Sequence, residues 1–239
     1  MRLQESTEDL LGVVGGLGPL ASAEFVRTIY DQWLGKMEQE TPKLLLYSDP
    51  TFPDRTQSLL NGSTAPLLER LVKTLTHLQQ MGASRFVICC ITIHHLLPRV
   101  PDELRSRVVS LIDVVFEELA ARRDPHLLLC TVGTRQLGIF HNHDRYRQFA
   151  DLVVTLDEAD QQKVHNLIYE LKSGTDVQER VAFVENLLVK YNVKSFIAGC
   201  TEFHLLTKHF KGDCCIDPLT SIARELAKPR IASYASQSR

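Results

Sequence analysis

Two stretches of this chain are imperfect copies of one another, and that repetition constrains the fold more than any other feature. Ser84-Arg85-Phe86-Val87-Ile88-Cys89-Cys90-Ile91-Thr92-Ile93-His94-His95-Leu96 aligns without gaps on Lys194-Ser195-Phe196-Ile197-Ala198-Gly199-Cys200-Thr201-Glu202-Phe203-His204-Leu205-Leu206. Phe86 pairs with Phe196, Cys90 with Cys200, His94 with His204 and Leu96 with Leu206, all at an offset of 110 residues. Each copy is an apolar run ending in cysteine, followed by polar residues and a helix-like stretch. In an α/β protein that order presents a side chain at the carboxyl end of a buried strand, where such sheets carry their sites. Two copies can present two thiols to one cleft.

The rest of the pattern is of the same kind. Leu10 to Val14 reads as a strand, Gly15 to Pro19 as a tight turn, and Leu20 to Lys36 as a helix, the opening of a βαβ unit. Lys43 to Tyr47 is a second strand, residues 48–55 form a loop rich in proline and aspartate, and Thr64 to Met81 is a helix that Gly82 stops. Beyond Pro101, a helix through Val108 to Leu119 leads to the strand Leu127 to Cys130 and a second glycine turn, Thr131 to Thr134, in which Gly133 answers Gly18. A helix marked by Val164 to Leu171 and closed by Gly174, another from Val177 to Lys190, the second cysteine strand, and a final helix within 216–228 complete the chain. The expected architecture is α/β, with two pseudo-symmetric lobes, each a mainly parallel sheet flanked by helices, and the active site in the cleft between them. Residues 1–100 form the first lobe and 101–215 the second, divided near Pro98 to Asp102; the last helix packs back on the first lobe, and 230–239 read as a loose tail.

Composition removes several functional classes. A net charge of −2, with no basic run or aromatic-rich stripe, argues against nucleic acid and anionic membranes as partners. The apolar run near the N-terminus meets glycine at once and fits neither a signal peptide nor a spanning helix, so a cytoplasmic protein with a small ligand is expected. Six cysteines in 239 residues, none in a CxxC pair or a zinc-like cluster, are expected to be reduced thiols rather than a disulfide framework or a metal site.

Singly, Cys90 or Cys200 reads as a small buried hydrophobe. As a pair they read differently. A thiol at a strand's carboxyl end, beside the start of a helix, has its anion stabilised by backbone amides and the helix dipole. Thr92 and Thr201 fit as caps of those helices, and Glu202 is near enough to tune the second thiol. Two thiols on opposite walls suit inversion at a carbon that bears an acidic hydrogen. One thiolate removes the proton, the other thiol returns one to the opposite face, and their titrations are coupled.

Several motifs then resemble the aspartate/glutamate racemase superfamily, and within it the aspartate racemase branch. Gly15-Gly16-Leu17-Gly18-Pro19 is similar to its GGMGP loop, Phe52-Pro53-Asp54-Arg55-Thr56 to IPDRT, and Gly199-Cys200-Thr201-Glu202 is its GCTE motif. Cys90-Ile91-Thr92-Ile93-His94 stands where the family has CNTAH, Leu128 to Thr134 resembles LLATxGT, Ile168 to Gly174 resembles IYExxKxG, and Ile216-Asp217-Pro218 resembles the segment before the last helix. The resemblance implies a racemase without pyridoxal phosphate, metal or nucleotide, a homodimer, acting on aspartate or glutamate with Cys90 and Cys200 as the acid/base pair. It also implies that Arg55 holds a substrate carboxylate with its planar fork and that Lys172 adds a point charge from the other lobe.

The side chains and amides expected around the substrate are therefore Arg55, Lys172, Thr92, Thr201, Gly16, Gly18, Thr134, Glu202 and His204. His94 and His204 either shape the electrostatics of the thiols or serve structure, and Cys89, Cys130, Cys214 and Cys215 are assigned to packing. One departure matters: Ile91 replaces the family asparagine and has no side-chain hydrogen bond to offer. The competing readings are a catalytically impaired homologue that only binds an amino acid, and a related isomerase or decarboxylase of the same superfamily.

Overall fold

The computed structural model describes residues 9–33, 37–174, 176–210 and 212–228. Among these residues seven strands form two sheets: β1 (Leu10–Gly15), β2 (Lys43–Ser48) and β3 (Ala83–Ile88) in the order β2-β1-β3, then β4 (His126–Leu129), β5 (Val153–Val154), β6 (Ser195–Ala198) and β7 (Cys215–Ile216) in the order β5-β4-β6-β7. Every pairing is parallel. The cysteine strands β3 and β6 occupy equivalent positions, each beside the first strand of its own sheet. The repeat in the sequence is thus a repeat in topology.

Period-two alternation divides the apolar side chains between the two faces of each sheet. Leu11 and Val13 of β1, Val87 of β3 and Ile197 of β6 join a central core with the helices Pro19–Asp31, Leu111–Arg122 and Pro218–Leu226. Val14, Phe86 and Ile88 face outward onto the helix Thr64–Gln80, whereas Phe196 and Ala198 face the helices Glu158–Lys172 and Val177–Lys190. The central core runs unbroken from one sheet to the other. The last helix contributes Leu219, Ile222, Ala223 and Leu226 to it, beside Phe25 and Ile29 of the first helix.

Most boundaries agree with the expected ones to within a residue or two, and the exceptions have local causes. The first helix stops at Asp31, not Lys36, with residues 34–36 outside those described. Residues 108 and 109 are not helical. Val108 bridges Phe86, and Ser110 starts the following helix by accepting a hydrogen bond from the Asp113 amide. The stretch after Cys90 is a 3-10 helix, Thr92–Arg99, and the expected turn after β4 tightens into the short helix Val132–Gln136, capped by Thr131. Gly82 and Gly174, which end helices, have φ of 96° and 78°, where a side chain is strained. The proposed tail, 230–239, lies outside the described residues.

Candidate active site

Cys90 and Cys200 each stand two residues past the end of their strands, and both line one small cavity with Arg55, Lys172, Thr92 and Glu202. Leu17, Asp54, Thr56 and Thr131 complete its wall. Its free volume is about 10 Å³, room for about one water. The alternation that sends Cys90 to the cavity sends Cys89 into the central core, where burial raises its pKa. That separates the vicinal thiols: one lines the cavity and the other is packing.

The cationic wall is built from both halves of the chain. Arg55 is 9% exposed; Nη1 donates to the Pro53 carbonyl at 3.1 Å, Nη2 donates to the Leu17 carbonyl, and Nε has no partner among the described residues. Burial works against its charge, but Cys90, Asp54 and Glu202 outweigh burial and raise its pKa. A buried guanidinium held by carbonyls, with its Nε–H unused among the described residues, is suited to an incoming carboxylate. Lys172, from the opposite sheet's helix, rests 4.0 Å from the centre of the Tyr169 ring. The Tyr169 hydroxyl donates to Asp54 Oδ2 at 2.8 Å, while Asp54 Oδ1 accepts from the Gln57 amide and caps Arg55–Leu60. This bond joins the Asp54-Arg55-Thr56 segment to the second sheet's helix.

Cys200 Sγ donates to Glu202 Oε2 at 2.8 Å, and burial, then the Glu202 charge, push its pKa well above the usual thiol value, with Lys172 opposing. This corrects the expectation of a helix-stabilised thiolate. The element after Cys200 is a three-residue 3-10 turn, Thr201–Phe203, too short to outweigh burial beside a carboxylate.

Each half of the molecule also reaches into the other. A Cβ on Gly18 would meet Glu202 Oε1 at 2.3 Å, and one on Gly133 would meet Thr56 Oγ1 at 2.8 Å, so each glycine turn makes room for a side chain from the opposite half. Thr201 Oγ1 donates to the Cys89 carbonyl at 3.1 Å, and Thr92 Oγ1 is 2.9 Å from Thr134 Oγ1. Neither Thr92 nor Thr201 caps a helix through its side chain; their hydroxyls tie the halves together, because those turns begin on the Ile91 and Cys200 backbone.

With this geometry in view, residues 14–226 match the family model described as Asp/Glu/hydantoin racemase. The chain belongs to that family. Its members are racemases, and hence isomerases. An aspartate racemase from Picrophilus torridus superposes with a TM-score of 0.79 at 22% identity, covering 92% of this chain and 93% of that one. An aspartate racemase homologue from Pyrococcus horikoshii OT3 gives 0.66 at 23%, covering 92% and 97%. A glutamate racemase from Francisella tularensis subsp. tularensis SCHU S4, solved with D-glutamate, gives 0.58 at 15%, covering 92% and 80%. These likenesses establish the fold, two parallel sheets flanked by helices.

Against this racemase framework, five of the expected side chains and amides fall outside the cavity wall. Gly16, at φ 84° against the Asp49 backbone, serves the turn, and Gly18 gives room to Glu202. Thr134 and Thr201 are buried in the contacts just described. His204 faces the other way, onto a separate cavity of about 270 Å³, because its ring is drawn to Asp217 and Thr28. Sequence reasoning missed Leu17, Asp54 and Thr56 as wall residues and did not select Thr131. Asp54 and Thr56 flank Arg55 directly, and Tyr169 precedes Lys172 by one helical turn, so adjacency to the chosen cations was the available signal. Ile91 is buried in the central core and does not line the cavity.

Proposed function

We propose that this chain is a cofactor-independent racemase of a small acidic amino acid, of the aspartate type, with Cys90 and Cys200 as its two acid/base groups. One observation carries the reading: thiols from equivalent strand ends share one cavity with Arg55 and Lys172, cations drawn from opposite halves of the chain. In one direction a thiolate takes the α-proton, the C–H electron pair passes into the α-carbon and its carboxylate, and the second thiol supplies a proton to the opposite face. The first sulfur ends as a thiol, the second as a thiolate, and nothing is oxidised. Arg55 and Lys172 stabilise the charge that builds on the substrate in a water-poor site. Two carboxylates match two cations, which supports aspartate or a near relative.

An aspartate exceeds the free volume of the closed cavity, so binding requires its walls to part, with the Asp54–Tyr169 hydrogen bond as one link that must yield. We read the two sheets as the cores of two lobes divided near Pro98 to Asp102. The protein is further read as a cytoplasmic homodimer, with the exposed edge strand β2 and its Leu46 and Tyr47 side chains available to a second copy.

The deciding experiment incubates the protein with L-aspartate, D-aspartate and a panel of other amino acids in deuterated buffer, followed by chiral chromatography and mass analysis. Solvent deuterium at the α position together with inversion supports the proposal. A protein that binds aspartate without exchanging its α-hydrogen is a binding homologue, and wild-type rates in both Cys90→Ala and Cys200→Ala would refute the site.

A further inference from the structure

The repeat that opens the sequence pairs His94 with His204, and the racemase mechanism above uses neither. Both rings are buried, each four residues past its thiol. His94 Nδ1 lies 2.9 Å from the carbonyl oxygen of Cys90, and its Nε2 accepts the Leu111 amide at 3.3 Å, at the start of the Leu111–Arg122 helix. A ring nitrogen that accepts an amide carries no proton, so the other one carries it and donates to Cys90. His94 is therefore a neutral strut between the first thiol's own peptide and a helix of the central core.

His204 has the equivalent place and opposite chemistry. Its Nδ1 is 2.6 Å from Asp217 Oδ2, at side-chain exposures of 1% and 2%, and its Nε2 is 2.9 Å from Thr28 Oγ1. Asp217 also accepts from the Thr220 hydroxyl and caps the last helix through the Leu219 amide. The ring begins the helix His204–Thr207, which follows directly on the Cys200 turn, and ties that turn to both the first and the last helix. The Cys200 turn thus has a cavity on each side: Cys200 and Glu202 face the small one, His204 and Thr207 the larger one behind.

We propose that His94 and His204 are positioning residues, each fixing only the thiol of its own repeat: His94 by a neutral backbone clamp on Cys90, His204 by a buried hydrogen bond to Asp217 behind Cys200. The catalytic use of the thiols rests on the racemase reading; their positioning does not.

Racemisation itself cannot reveal the assignment. L and D enantiomers are equal in free energy, so kcat/KM must fall equally in both directions whichever thiol is disturbed. The test therefore uses single-thiol backgrounds. In Cys90→Ala only Cys200 remains to exchange the α-hydrogen of one enantiomer with solvent deuterium, and in Cys200→Ala only Cys90 does so at the other. His204→Leu combined with Asp217→Asn, which leaves no buried unpaired charge, is expected to slow exchange in the Cys90→Ala background by roughly ten- to a hundredfold and to leave the Cys200→Ala background unchanged. His94→Leu gives the crossed result. A second measurement needs no turnover: the full chain with both thiols is treated with iodoacetamide, and adducts are mapped by peptide mass analysis, with near-ultraviolet circular dichroism verifying the fold. The His204 variant raises labelling at Cys200 alone, and the His94 variant at Cys90 alone.

Crossed labelling without any exchange would uphold the positioning and sink the racemase reading. Exchange that falls equally in both backgrounds, or labelling that changes at both thiols or at neither, overturns the proposal.

Discussion

Gly18→Ala tests how the Glu202 carboxylate is coupled to Cys200, and its effect can be worked out from the structure. Gly18 has φ −164°, an extended conformation open to any residue, so alanine adds no backbone strain. It adds one methyl group, whose carbon would lie 2.3 Å from Glu202 Oε1 and 3.1 Å from its Cδ. A carbon and an oxygen rest at about 3.3 Å, so the carboxylate must retreat by roughly 1 Å. That shift at Oε1 is expected to stretch the 2.8 Å bond that Oε2 of the same carboxylate accepts from Cys200. Overpacking of this kind costs about 1–3 kcal/mol, and losing a hydrogen bond to a charged group about 1.5–3 kcal/mol. If Glu202 accepts the Cys200 proton during turnover, loss of the bond slows turnover by roughly ten- to a hundredfold, at about 1.4 kcal/mol per factor of ten. The overpacking lowers Tm by a few degrees, about 2–4 °C per kcal/mol for a chain of this size.

The assay is the initial rate of aspartate inversion per folded molecule, followed by circular dichroism, with Tm measured in parallel. Adding Glu202→Asp shortens the side chain by one methylene, relieves the contact and is expected to restore part of the rate. Full activity in Gly18→Ala at a reduced Tm would refute the coupling, because it would show that the carboxylate can leave the thiol without consequence.

Three further outcomes follow from the same geometry. Arg55→Lys loses the fork that spans the Pro53 and Leu17 carbonyls and is expected to raise KM for aspartate by about tenfold or more, read from steady-state kinetics. Tyr169→Phe keeps the ring under Lys172 but removes the donor to Asp54; loosening that link should change KM more than kcat and lower Tm slightly, so an unchanged KM would count against an opening motion at this bond. The buried His204–Asp217 pair sets a pH window for stability. Burial alone would depress the imidazole, yet the Asp217 charge raises its pKa; burial would likewise raise Asp217, yet His204 lowers it. The histidine contribution is complete below its unfolded value of about 6.5 and fades as pH rises through the higher folded value, whereas the aspartate contribution is complete above about 3.9 and fades as pH falls through the lower folded value. The Tm difference between wild type and Asp217→Asn should therefore be greatest between about pH 4 and 6.5 and shrink toward alkaline pH. A difference that grows toward alkaline pH would show the opposite sign of coupling.

How much of the fold and site the sequence makes legible differs by the type of signal. The alternation of strands and helices, the parallel sheets, and the place of Cys90 and Cys200 beyond β3 and β6 are written in local periodicity and in one internal repeat, and both survive without knowledge of long-range contacts. Arg55 and Lys172 were selected through motifs, and the fold brings both to the cavity. Thr92 and Thr201 do not cap helices as expected, because a hydroxyl after a strand caps a helix only if that helix starts there. These hydroxyls meet partners 42 and 112 residues away instead.

What sequence alone determined, then, is which backbone forms and where two sulfurs leave their strands, since period and punctuation act over a few residues. Tertiary structure decided everything that depends on a distant neighbour. It buried Cys200, and beside a carboxylate, and so raised that thiol's pKa, it turned His204 away from the cysteine cavity toward Asp217, and it gave Gly18 its purpose as space for Glu202. Charge state and access are set by what lies across the cleft, and the chain near each residue carries no record of that.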